Sequence, residues 1–344
     1  MTDSVLRDSL RLARTDGVGP VAFRRLLARF ASPAAALSAL PSLARSGGRT
    51  QAPTVPSIAE AEREIAQLHK LGGRFLVWGQ ADYPPLLALL DDAPPVIAML
   101  GDAAILSERA VALVGSRNAS TNGQRMAEAL AGELAAAGVV VVSGMARGVD
   151  GAAHRGALAA IGGGGRTVAV VAGGLDLPYP PEHADLQRQI AASGVVVAEA
   201  PLGTAPLARH FPRRNRIIAG LALGVVVVGA APRSGSLITA RMAQENGREI
   251  FAVPGSPLDP RARGANDLIR QGAHLTEGLD DILNNLPDHP NRRGLARSPL
   301  FARPDRDGLA EPMMPFEESD LSTDEMAQAH AKILALLKPR ADRG

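Results

Sequence analysis

The residues best suited to chemistry in this chain stand in short polar clusters behind apolar runs. Gly115-Ser116-Arg117-Asn118 follows one run, and Ser143-Gly144-Met145-Ala146-Arg147 follows another, with Asp150 and His154 just beyond. Further along come Gly173-Gly174-Leu175-Asp176, then Tyr179-Pro180-Pro181, then Glu199. Arg209-His210-Phe211-Pro212-Arg213-Arg214-Asn215-Arg216, Arg233-Ser234-Gly235-Ser236 and Pro254-Gly255-Ser256 complete the set. Glycine lets an anion approach the backbone. Serine adds donors, and arginine supplies a planar fork that matches phosphate. Together they describe a broad groove for phosphates. A lone Phe211 inside a cationic run suits single-stranded nucleic acid, which is held by backbone charge and by base stacking.

Other chemistries fit less well. The dinucleotide fingerprint G-x-G-x-x-G is absent behind the first run, and so is a Walker lysine motif. Ser143, His154 and Asp150 are the ingredients of a triad, but no nucleophile elbow surrounds the serine. The i, i+4 spacing of Asp150 and His154 suggests an orienting hydrogen bond rather than an acid–base couple. Glu199 suits either a general base or a structural ion pair. The seven His are scattered, and the chain has no Cys, which removes disulfides, thiol nucleophiles and thiolate metal sites. No catalytic residue, metal or cofactor is expected. The plainer alternatives are that each glycine serves only its turn, and that Arg117 and Arg147 simply pair with carboxylates.

These clusters need a frame that brings them to one edge. Continuous apolar runs at 111–114, 139–142, 167–171, 195–198, 225–228 and 250–253 read as strands buried on both faces. Helical stretches lie between them at 123–137, 152–160, 185–192, 213–221 and 237–245. Repeated strand–helix units imply a doubly wound, mostly parallel α/β sheet, Rossmann-like, with ligands at the carboxyl ends of the strands. Residues 1–70 read as a small helical domain, with a turn at Asp16-Gly17-Val18-Gly19-Pro20 placing proline near a helix start. Residues 71–286 form the sheet domain. Residues 287–320, rich in Pro, Arg and acids, read as a disordered linker, and 321–344 as one last helix.

The chain has 344 residues with 37 basic and 35 acidic side chains, a net charge of +2. With only three lysines and two tyrosines, little titrates above neutrality, so the isoelectric point near 9.4 is inflated. The distribution says more: residues 201–275 hold ten Arg against four acids, and 276–330 hold five Arg against twelve. A basic block precedes an acidic stretch. The polar N-terminus and the lack of long apolar runs lead us to expect a soluble, cytoplasmic protein.

Ordered along the chain stand LRLARTDGVGP, DYPPLLALLDDAPPVIAMLGD, VALVGSR, VVSGMARGVDGAAHRGAL and TVAVVAGGLDLPYPPEH. VVVAEAPLGTAP, HFPRRNRIIAGLA, SGSLITARMAQENGREIFAVPG and GANDLIRQGA follow. In these blocks the chain resembles the DNA-processing protein A (DprA/Smf) family. The resemblance implies an N-terminal helical domain of sterile-alpha-motif type and an extended Rossmann-like domain. It implies a non-enzymatic protein that binds single-stranded DNA during natural transformation. Such a protein loads the RecA recombinase, displaces single-strand-binding protein and works as a homodimer. Gly115, Ser116 and Arg117 match the family's G-S-R pocket. Phe211, Arg213, Asn215 and Arg216 fall in its F-P-x-R-N-R motif, and Ser234-Gly235-Ser236 in its S-G-S loop. With Ser143, Gly144, Arg147 and Arg214 they make up the expected DNA-binding set. In mechanism, Arg117, Arg213, Arg216 and helix N-termini would capture phosphate while Phe211 stacks.

Two departures stand out. Gly229 occupies a position where the family carries Glu, and one helix stands where many members have a winged-helix domain. The competing expectation is a nucleotide hydrolase resembling the cytokinin-activating phosphoribohydrolases. Their P-G-G-x-G-T-x-x-E motif has only Ala172-Gly173-Gly174-Leu175-Asp176 as a counterpart here.

Overall fold

In the computed structural model, residues 2–46, 53–160 and 166–288 are described. The described residues form one compact unit. The expected linker beyond residue 288 and the expected helix at 321–344 lie outside the described residues.

Four helices open the chain: α1 (Asp3–Ala13), α2 (Pro20–Phe30), α3 (Pro33–Ser46) and α4 (Ile58–Lys70). The turn between α1 and α2 is the helical corner expected at Asp16–Pro20, with Gly17 at φ 79° and Pro20 opening α2. Leu12, Phe23, Ala36 and Leu40 make a small core among α1, α2 and α3. Ser57 and Glu60 form a reciprocal cap at the start of α4, satisfying donors that a bare helix end leaves open. Leu6 and Leu10 on α1 pack with Phe75, Val77, Val96 and Val196 of the sheet. Apolar burial therefore fastens the helical segment to the rest.

The remaining elements are β1 (Arg74–Val77), α5 (Pro85–Ala88), β2 (Val96–Gly101), β3 (Ala110–Gly115), α6 (Thr121–Ala136), β4 (Val140–Ser143), α7 (Val149–Leu158) and β5 (Thr167–Val171). They continue with α8 (Ala184–Ser193), β6 (Val195–Ala198), α9 (His210–Leu221), β7 (Gly224–Val228), α10 (Gly235–Glu245), β8 (Glu249–Val253), α11 (Arg263–Arg270), β9 (His274–Leu275) and α12 (Leu279–Leu283). They build a nine-stranded sheet in the order β1-β2-β6-β5-β4-β3-β7-β8-β9. Strands β3 to β9 pair in parallel, and β2 runs antiparallel to both β1 and β6.

The six expected strands are all present. The expectation omitted β1, β2 and β9. The first two add an antiparallel flap, and β9 is a two-residue edge. Successive side chains of a strand face opposite ways, so β3 and β7 feed two cores. Ala112, Val114, Val225 and Val227 pack with α9 and α10 on one side. Val111, Leu113, Val226 and Val228 pack with α6 and α7 on the other. That double burial is why these strands read as unbroken apolar runs.

Candidate functional site

A groove of about 710 Å³ lies at the carboxyl ends of the parallel strands. Its walls are the turn after β3 (Ser116, Arg117, Asn118), the first turns of α9 (Phe211, Arg214, Asn215) and the start of α10 (Ser234, Gly235, Ser236). The α10 N-terminus brings the positive end of an 11-residue helix to the groove. The Ser234 and Ser236 hydroxyls stand 2.7 Å apart. The Ser116 Oγ accepts from the Asn118 backbone N–H at 3.2 Å, which holds the β3 turn.

Arg117 is exposed and makes no ion pair among the described residues. Its guanidinium carbon lies 4.6 Å from the centre of the Phe211 ring, within cation–π range. Tyr179 adds a second ring 5.8 Å from Phe211, tilted by 56°. An exposed cation with no ion pair among the described residues, two aromatic rings, two serines and a helix N-terminus can hold an anion beside a flat apolar group.

The Phe-Pro-Arg-Arg-Asn-Arg segment was expected to run into a helix starting at residue 213. Instead α9 begins at His210, with Pro212 in its first turn, where the missing N–H costs nothing. Helical periodicity then divides the segment. Phe211, Arg214, Asn215 and Ile218, at i, i+3, i+4 and i+7, face the groove. Arg213 and Arg216 face Glu199 instead. Arg213 makes a fork to the carboxylate at 3.0 and 2.8 Å, and Arg216 Nη2 meets both oxygens at 2.7 Å. Arg216 also approaches Asp92 Oδ2 at 3.5 Å. These two arginines, expected to capture phosphate, both meet Glu199 here, Arg216 buried and Arg213 exposed. Glu199, weighed as a base, is the anion of that pair.

Ser143 and Arg147 also lie off the groove. Ser143 is fully buried, and its hydroxyl donates to the Leu113 carbonyl at 2.6 Å. Arg147 points outward into an ion pair with Glu182. That hydrogen bond holds the Glu182 carboxyl down at about 2. Gly144 serves packing, since a Cβ there would stand 1.8 Å from Arg214 Nη1. Gly115 likewise faces the Val228 carbonyl, 2.2 Å from a virtual Cβ.

Arg214 forms part of the groove floor. It is buried and donates to the Val170 carbonyl at 2.8 Å and to the Gly144 carbonyl. Burial pushes it down to about 10, so it stays charged at neutral pH. Asn215 donates to the Gly235 carbonyl at 3.3 Å, tying α9 to the α10 start. Asp150 lines the same floor and accepts from the Ala146 N–H at 3.3 Å, and burial raises its pKa. The orienting bond expected between Asp150 and His154 is not made. His154 Nδ1 instead meets Thr167 Oγ1 at 2.8 Å.

Tyr179, Asp150 and Thr239 belong to the groove and were missed as site residues. Tyr179 had a signal: of two tyrosines in the chain it is the exposed one, and it follows a Gly-Gly turn behind a strand. Thr239 had none, because its place depends on where α10 starts.

Comparison with known proteins agrees with this architecture. Residues 74–287 match the family model described as DNA recombination-mediator protein A. Residues 3–66 match a DprA-like N-terminal HHH domain. Protein Smf of Escherichia coli K12 is 42% identical over 244 residues, covering 69% of this chain and 62% of that protein. The chain therefore spans less than two thirds of that relative's length. The X-ray structure of DNA processing protein A from Streptococcus pneumoniae superposes with a TM-score of 0.64 at 36% identity, covering 75% of this chain and 83% of that one. DNA processing protein A from Helicobacter pylori, described for its single-stranded DNA binding mode, gives a TM-score of 0.55 at 28% identity, covering 62% of this chain and 95% of that one. With its sheet domain and its N-terminal helices both matched, the chain belongs to the DNA recombination-mediator protein A (DprA) family.

Proposed function

We propose that this chain binds single-stranded DNA in the strand-end groove, protects it, and loads the RecA recombinase onto it during natural transformation. The observation that carries the reading is Arg117. It is an exposed cation that makes no ion pair among the described residues, set 4.6 Å from an aromatic ring at the mouth of the groove. Phosphate attracts the guanidinium, and the rings of Phe211 and Tyr179 accept bases. Relatives named for DNA processing, and the Helicobacter pylori protein described for single-stranded DNA binding, support the same choice. The engagement of Glu199 with two arginines supports a binding role without catalysis. Partners in this reading are single-stranded DNA, RecA, single-strand-binding protein and a second copy of the chain. The cytoplasm is the compartment it requires. Among the described residues no single helix is long and apolar enough to cross a membrane.

Arg117→Ala tests the reading. Losing one charge-assisted contact should weaken binding about tenfold at low salt, irrespective of sequence. Fluorescence anisotropy with labelled oligo-dT measures it, alongside RecA strand exchange on coated single strands. Unchanged affinity in Arg117→Ala would sink the assignment of the groove.

A further inference from the structure

The sheet reverses its direction of growth between β3 and β7. After β3 the chain enters α6, whose Leu130, Ala131 and Leu134 pack on one face. After β7 it enters α10, whose Ala240 and Ala243 pack on the opposite face. Ligand crevices of doubly wound sheets open at such a switch point. The groove described above fills only the α10 side of this crevice. On the α6 side, behind the ends of β3, β7 and β8, lies a second cavity of about 480 Å³. Ser116 lines both, so the two are separated by one turn of backbone.

The two spaces differ in chemistry. The second has an apolar lining of Met126, Val228 and Val253, with Asn122 and Ser256 among its polar groups. Its one cation, Arg261, is taken by Asp259 at 2.9 Å. It therefore lacks a cation like Arg117, which makes no ion pair among the described residues. Part of its wall is bare backbone at Gly229. There φ is +64°, and a virtual Cβ meets nothing nearer than the Arg261 carbonyl at 3.7 Å. An apolar space with a few hydrogen-bonding groups suits a flat base and offers little to a phosphate.

We propose that this second cavity is a nucleobase subsite. A strand whose phosphate sits against Arg117 passes over the Ser116 turn and places a neighbouring base between Met126, Val228 and Val253. The inference rests on the nucleic-acid reading of the groove and extends the footprint to the far side of the switch point.

Met126→Glu and Met126→Gln provide the test, because Met126 lines the cavity and the two replacements are nearly equal in size. The glutamate puts a carboxylate into the path of the strand; the glutamine does not. With the full chain and labelled oligo-dT of increasing length, Met126→Glu should bind long probes about tenfold more weakly than Met126→Gln. Independently of either substitution, long oligo-dT should slow hydrogen exchange at residues 253–262 of the unaltered chain. Equal affinities of the two variants, or unchanged exchange at 253–262, would overturn the subsite. If Arg117→Ala weakens binding while these signals are absent, only the subsite falls. If Arg117→Ala binds like the unaltered chain, the groove reading falls and takes the subsite with it.

Discussion

Two sets of buried polar groups, the Glu199–Arg216 pair and His154, carry consequences for stability. Glu199 and Arg216 expose only 10% and 8% of their side chains, whereas Arg213 on the same carboxylate exposes 62%. Breaking a buried pair from one side leaves an uncompensated charge, at about 3–5 kcal/mol. An exposed pair contributes about 1 kcal/mol or less. Glu199→Gln should therefore destabilise by several kcal/mol and Arg213→Ala by about 1 kcal/mol or less, read by denaturant unfolding. Equal effects would contradict the division of roles. His154 is the second case. Thr167 Oγ1 gives its proton to the Val141 carbonyl at 2.6 Å, so it accepts from His154 Nδ1. Nε2 is then a buried acceptor with no partner, and burial pushes the imidazole down to about 3. Above the ordinary value of 6.5 the ring is neutral in both folded and unfolded chains. From about 6.5 down to about 3, only the unfolded chain binds the proton, so stability falls with pH. The loss approaches about 1.4 kcal/mol per pH unit. His154→Gln should flatten the decline of unfolding free energy between these limits. Parallel curves for the two proteins would rule the histidine out as its source.

The pair α6 and α7 shows how closely the elements are set. A Cβ at Gly156 would stand 2.0 Å from the Glu128 carbonyl on the facing helix, and one at Gly123 only 3.5 Å from Ser120 Oγ. Backbone cannot yield as a side-chain tip does. Gly156→Ala should cost about 1–3 kcal/mol through overpacking. Gly123→Ala should be neutral or gain up to about 1 kcal/mol from lower unfolded-state entropy. Thermal melts of both variants measure the contrast, and equal shifts would refute it. Element boundaries also decided how much was legible in the sequence. The six long strands were readable because burial on two faces leaves unbroken runs of Val and Ala. Strand β1 was not, since Arg74–Val77 is too short to show periodicity, and β2 follows directly on Pro94 and Pro95, residues that break regular structure. The site was legible as a set of clusters but not as a surface. Moving the start of α9 three residues toward the N-terminus, from the expected 213 to His210, turns Arg213 and Arg216 away and keeps Phe211 and Arg214 in. Ser143 was misplaced for a similar reason. It is the last residue of β4, inside the ladder, not the first of the turn.

Charge looks different for the molecule as a whole than it does along the sequence. Residues 201–275 hold ten arginines, the basic block of the sequence. Four of them, Arg213, Arg216, Arg261 and Arg270, pair with carboxylates. Arg214 and Arg248 donate to backbone carbonyls while partly or wholly buried. Arg209, Arg233, Arg241 and Arg263 are exposed and make no ion pair among the described residues. Of these, Arg209 and Arg233 adjoin groove-lining residues, and Arg117 joins them from the β3 turn. About three exposed cations thus stand at the groove, above the buried Arg214 of its floor. Each phosphate neutralised on a single strand contributes about −0.7 to the slope of log K against log salt. The slope for oligo-dT should therefore be near −2. A slope near −7 would mean that all ten arginines take part, and would overturn the assignment of the paired ones to structure. Arg117→Ala should make the slope shallower by about 0.7, whereas Arg213→Ala should leave it unchanged, because Glu199 and Asp92 together balance Arg213 and Arg216. Anisotropy titrations over a range of salt concentrations separate these outcomes. With so few cations at work, binding that survives high salt must draw on the rings of Phe211 and Tyr179, because stacking releases no counterions.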